Sequence, residues 1–279
     1  MVKKIFVALG KAACYTLLFL GVQFAVGMVY AFVAGVHAAL PYIFDNSMID
    51  MDALMRSMAD FLMEKALVIA LISDVIVLGL VAVFFAARGR NVWRETHLKK
   101  GFPNLAIVPL VLGGACLAGF IGTMLDLLPI PESVWEQYES QSAMLGGTGA
   151  LAIIASILVA PIAEEVFFRG LVYTRLRRAM PSIAAALISS LIFGLLHQQL
   201  IWVCYAFAVG LAMAAVFERT LSTRATIAVH LAFNLAGGYA FAGIKSGPVL
   251  AFGFAAGVAL CWIWLCCICP YTKLHPEDF

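Results

Sequence analysis

The chain has 279 residues, of which 63% are hydrophobic and 12% charged, and its mean hydropathy is +0.99. Soluble domains carry about 25% charged residues, so this composition excludes a soluble globular protein and identifies a polytopic membrane protein. A net charge of +2 offers no basic surface for nucleic acid, and the basic residues matter through their placement.

Backbone polar groups inside a bilayer must be satisfied internally, which restricts the spans to helices or a closed barrel. The apolar runs are about 20 residues long rather than alternating strands of about ten, so the fold class is all-α. Eight spans are predicted in chain order, at 12–37, 66–87, 105–125, 150–171, 183–198, 200–217, 225–242 and 248–269. The first follows Met1-Val-Lys-Lys-Ile-Phe and runs past Ala39 without a small-residue cleavage site, which reads as an uncleaved span rather than a signal peptide. The fifth and sixth are short and close together, predicting either a tight helical hairpin or a segment that stops short of a full crossing.

The connecting loops alternate in charge. Lys3 and Lys4 precede the first span, and acids dominate the loop after it. Arg88, Arg90, Arg94, Lys99 and Lys100 follow the second span, whereas the loop at 126–149 has four acids and no Lys or Arg. Arg175, Arg177 and Arg178 follow the fourth span, and Arg219 and Arg224 the sixth. The positive-inside rule places every second loop, and both termini, in the cytoplasm. The expected organisation is one transmembrane domain over 1–279 in a prokaryotic cytoplasmic (inner) membrane, with a helical core at 150–240. Small residues at Ala206, Gly210 and Ala214, and at Gly253 and Gly257, provide helix-packing seams.

The chemistry lies in the polar residues of the apolar runs. Glu164 and Glu165 sit together inside the fourth span, where each acid costs about 3 kcal/mol on insertion scales. Glu165 and Arg169 are i,i+4 neighbours on one helix face, a spacing suited to an ion pair. Glu164 is rotated about 100° from that face. It is therefore expected to meet a cavity and to take a proton from water. The alternative is a structural pair with Glu164 near the interface. His197 ends the run Phe193-Gly-Leu-Leu-His197, and alone it also reads as an interfacial histidine. His230 and Asn234 are again i,i+4, and their side chains either offer two donors to an oxyanion or act as helix–helix glue.

Taken in order, Glu164-Glu165-x-x-x-Arg169, Phe193-x-x-x-His197 and His230-x-x-x-Asn234 resemble the motifs of the CAAX protease and bacteriocin-processing (CPBP, or Abi) family of intramembrane glutamate endopeptidases. Arg169-Gly170 and the stretch from Gly210 to Glu218-Arg219-Thr220-x-Ser222 add to the resemblance, which covers about residues 150–240. It implies that Glu164 and His197 activate water, that His230 and Asn234 stabilise the oxyanion, and that Glu165 with Arg169 supports the site. It implies no cofactor and no metal. Zinc held by the glutamates and histidines is the second mechanism, although no H-E-x-x-H helix is present. The implied substrate is a membrane-associated, lipidated or leader peptide; a site built between helices is expected to be reached through a cavity that opens to the cytosol and laterally to lipid. A non-proteolytic immunity or scaffold protein on the same fold is the main competitor, and a proton-coupled transporter is a third reading.

Other polar residues are less specific. Asp74 and Lys11 read equally as functional groups or as a local pair and a snorkelled helix end. The seven cysteines imply no disulfide framework, and Cys266, Cys267 and Cys269 read as small apolar filler at a helix end. Nothing in the sequence sets the oligomeric state.

Overall fold

In the computed structural model, which describes residues 2–45, 48–145, 149–241 and 246–270, every apolar run read from the sequence is helical. Helix α1 spans Val2–Phe44 and α2 Met51–Ala86, joined antiparallel. Asp50 caps the start of α2 by accepting from Asp52 N and Ala53 N. A short α3, Val92–Glu95, precedes α4 at Ile107–Leu127 and α5 at Glu132–Leu145. The long α6 runs Ala150–Arg177, followed by α7 at Ser182–Leu195, α8 at Leu200–Thr220, α9 at Thr223–Leu235 and α10 at Pro248–Ile268.

Among the described residues, six helices are long and apolar enough to cross a membrane: α1, α2, α4 with its leading turn, α6, α8 and α10. The other two expected spans, α7 and α9, are 14 and 13 residues long. Both pack inside the bundle, α7 along α8 as a hairpin and α9 against α4 and α6. The expected end of the seventh span at residue 242 lies outside the described residues, as do 271–279.

The ends of α6, α8 and α9 meet the segment after α2 in a polar junction. Glu95 pairs with Arg90 at 2.6 Å and with Arg175 at 3.1 Å, while Glu218 accepts from Tyr173 at 2.6 Å and Arg177 at 2.7 Å. Thr223 Oγ1 donates to Thr96 O at 2.6 Å, and Gly170 lets that same carbonyl approach so closely that a Cβ would sit 2.9 Å from it. His97 packs on Phe217, and burial pushes its imidazole down to about 4. This end of the bundle carries the basic residues.

Helix α6 is not uniformly α-helical. Ile153–Val159 and Phe168–Tyr173 are π-helical and bracket the α-helical stretch Ala160–Phe167 that carries both glutamates. A further π turn, Ala236–Ala240, follows α9. Such turns re-aim the side chains beside them and are frequent at functional sites.

Candidate active site

The two glutamates of α6 part company as the 100° rotation requires. Glu165 is fully enclosed (0% exposed) and Arg169, one turn on, is 2% exposed. Arg169 Nη1 donates to Glu165 Oε1 at 3.0 Å, and Nη2 donates to Gly210 O at 3.1 Å. That second bond needs the backbone of α8 close to α6. On its other side Gly210 packs against α7, where a Cβ would sit 2.8 Å from Ser190 Cβ. Two charges withdrawn from solvent persist only when paired and hydrogen-bonded, and these are.

His230 on α9 completes the buried cluster. Its Nδ1 lies 2.9 Å from Glu165 Oε1, and because a carboxylate accepts, that nitrogen carries the hydrogen. Its Nε2 then faces Glu164 Oε2 at 3.7 Å. Glu165, with Arg169 behind it, therefore fixes the ring of His230, and the ring presents its other nitrogen to Glu164.

Glu164 lines a cavity of about 580 Å³, together with His197, His230 and Asn234. The antiparallel course of α7 explains how His197 arrives there. Phe193 packs on Phe168 of α6 with ring centroids 5.0 Å apart, so the residue one turn beyond it is level with Glu164. His197 sits in the turn after α7, its Nδ1 2.9 Å from Phe193 O. A carbonyl only accepts, so Nδ1 bears the hydrogen and Nε2 is the basic nitrogen. His197 and Glu164 do not meet within ion-pair distance, which leaves room between them for a reacting molecule. Phe193 is the hub of this wall: its ring lies edge-on to His197 at 4.8 Å and to His230 at 6.2 Å, with the Arg169 guanidinium 4.9 Å from its centroid.

Asn234 is held from an unexpected quarter. Its Nδ2 donates to Ser156 O at 2.8 Å, in the first π segment of α6. In that register each N–H reaches back five residues, and the donor due to Ser156 O belongs to Pro161, which has none. The missing hydrogen bond is supplied from α9. His230 and Asn234 thus share the cavity wall as their spacing predicts, but one N–H of the carboxamide is committed to the backbone.

Two expectations change. The cavity is lined from the parts of α6, α8 and α9 remote from the basic junction, and by Tyr138 and Ser142 of α5, within the acidic 126–149 stretch. The cavity therefore lies beside α5 rather than beside the basic loops. The second change concerns Asp74. It is 5% exposed, neither a local pair nor an interfacial residue, and it lines the same cavity from α2. An acid in an apolar run was the signal for it, but its spacing named no partner. Lys11 lies instead with Lys3, Lys4, Arg175 and Arg178 at the basic end. The cysteines are all free, and among the described residues no three His, Cys, Asp or Glu side chains gather as metal donors do.

Residues 146–236 match the family model described as type II CAAX prenyl endopeptidase Rce1-like. Over 84 residues, or 30% of its length, the chain is 37% identical to a protein of Bacillus subtilis (strain 168) named "Putative membrane peptidase YdiL". Glu164, Glu165, Arg169, His197, His230 and Asn234 all fall inside the segment that matches the Rce1-like model, and Asp74 falls outside it. The chain spans about a third of the length of the curated relative it matches, 34%. No solved structure matches the chain.

Proposed function

We propose that this protein is an intramembrane endopeptidase of the CAAX type that hydrolyses a peptide bond with water activated by Glu164 and His197. The observation that carries this reading is the convergence of Glu164, His197, His230 and Asn234, from three separate parts of the chain, on one cavity behind which Glu165 and Arg169 are buried. The similarity of residues 146–236 to the type II CAAX prenyl endopeptidase Rce1-like model supports it. One transmembrane domain over 1–279, with the chemistry in the core at 150–240, belongs to the same proposal, and the bacterial relative supports a prokaryotic cytoplasmic membrane.

The steps follow from the donors and acceptors available. A water between Glu164 and His197 gives a proton to Glu164 while His197 Nε2 accepts its second hydrogen, and the water oxygen attacks the scissile carbonyl carbon. The negative charge that develops on the carbonyl oxygen is met by the uncommitted N–H of Asn234 and by His230, which in its imidazolium form donates from both ring nitrogens. Glu164 then passes its proton to the departing amine as the C–N bond breaks. Glu165 and Arg169 position the ring of His230 and touch no reacting atom. No covalent intermediate forms. The substrate is a membrane-associated, lipidated or leader peptide whose segment is unfolded at the cut.

Cleavage of such peptides by the purified full chain tests this reading. Wild type cuts, while Glu164→Ala and His197→Ala lose about 10³-fold or more of kcat/KM at unchanged thermal stability. Activity is expected to persist in strong chelator. Equal cleavage by the variants contradicts the assigned roles, and loss of activity in chelator, restored by zinc, favours the metal mechanism.

A further inference from the structure

We propose that Asp74 is the substrate-recognition acid of this cavity and binds a cationic group, a Lys or Arg side chain, close to the bond that is cut. Only the word substrate rests on the proteolytic reading; the binding site itself does not.

Three observations carry the inference. Asp74 is 95% shielded by the bundle, yet its oxygens are not among the sealed, unpartnered atoms, so the carboxyl is open to the cavity it lines. Among the described residues no side chain or backbone group donates a hydrogen bond to it, in contrast to Glu165 with its arginine and histidine. Among the described residues, the charged group that acts on it is Glu164, of the same sign. The described lining of the cavity contains no Lys or Arg. An ionised acid at membrane depth needs a partner, and this wall leaves that place to a ligand.

The approach has matching character. Helix α5 turns Val134, Trp135 and Tyr138 toward the bundle and leaves Glu132, Glu136 and Glu139 exposed. The 126–149 stretch holds no base. Acids along a low-dielectric entrance concentrate cations and repel anions. A peptide presenting a free C-terminal carboxylate to this cavity would meet Asp74 and Glu164 with like charge. A segment that carries Lys or Arg would find a counter-ion. Asp74 stands on α2, outside the segment that the Rce1-like model matches, so the wall that reads the substrate is separate from the wall that carries the chemistry.

The test uses the full chain in lipid nanodiscs with His197→Ala, so that bound peptide is not cut. The probes are short fluorescent Ala/Leu peptides, capped at both ends, that differ only in one central Lys or norleucine; a third has norleucine and a free C-terminal carboxylate. The Lys peptide is expected to bind about tenfold tighter than the norleucine peptide, and the free carboxylate weakest. Asp74→Asn brings the Lys peptide to the affinity of the norleucine peptide and leaves the latter unchanged. Asp74→Glu keeps the charge and the preference, and it provides the folded comparison if the Asn variant does not assemble. Equal affinities in the parent, an equal loss for both peptides in Asp74→Asn, or loss of the preference in Asp74→Glu overturns the proposal. A Lys preference that persists while the wild-type chain leaves every peptide uncut would defeat the proteolytic reading and spare this one.

Discussion

Glu165 is enclosed on every side, so removing Arg169 leaves an ionised carboxylate with His230 as its remaining partner. Breaking one side of a buried pair costs about 3–5 kcal/mol, whereas removing both charges costs far less than the sum. Glu165→Gln and Arg169→Met are each expected to destabilise the bundle by about that amount, and the double variant by less than their total. Unfolding in mixed micelles measures this, and additive losses would show that the pair does not interact. The pair was legible in the sequence because both residues lie on one helix at i,i+4. The bonds from Glu165 to His230 and from Asn234 to Ser156 were not, since spacing within a helix says nothing of which helix faces it. Asp74 shows the same limit: its cost in the bilayer was readable, and its neighbours were not.

At the level of elements, the site depends on how closely the helices approach. Gly114 on α4 faces α9, and a Cβ there would run into Val229 O and lie 3.2 Å from Ala232 Cβ, beside His230. Gly114→Ala must push α4 and α9 apart, with an expected stability loss of about 1–3 kcal/mol and a fall in activity as His230 moves from Glu164. Gly79 on α2 has nothing within 4 Å, so Gly79→Ala is expected to stay within about 1 kcal/mol of the parent with full activity. A thermal melt and a cleavage assay on both variants check this; equal behaviour would contradict the close packing of α4 on α9. Hydropathy made the helices readable, including the α7–α8 hairpin. The π segments around Glu164 were not readable, because their only trace is Pro161, and a lone proline near a helix start ordinarily reads as an N-terminal residue.

Taken whole, the molecule has one basic, polar-stitched end and one acidic end, and the cavity is lined toward the acidic end. With the positive-inside rule this predicts a mouth on the non-cytoplasmic face. In intact cells, a membrane-impermeant maleimide is expected to label Glu136→Cys, in a chain freed of its native cysteines, and to reach Lys100→Cys only after permeabilisation. The reverse pattern would put the mouth in the cytosol.

The central claim is that Glu164 and His197 act on one and the same water. A double-mutant cycle on kcat/KM, with peptide cleavage by the purified full chain, tests it most directly. Residues that work as one unit are not additive, so Glu164→Gln/His197→Ala is predicted to be no slower than the worse single variant. Losses that multiply would mean that the two residues act independently, and retention of activity in either single variant would contradict the site itself.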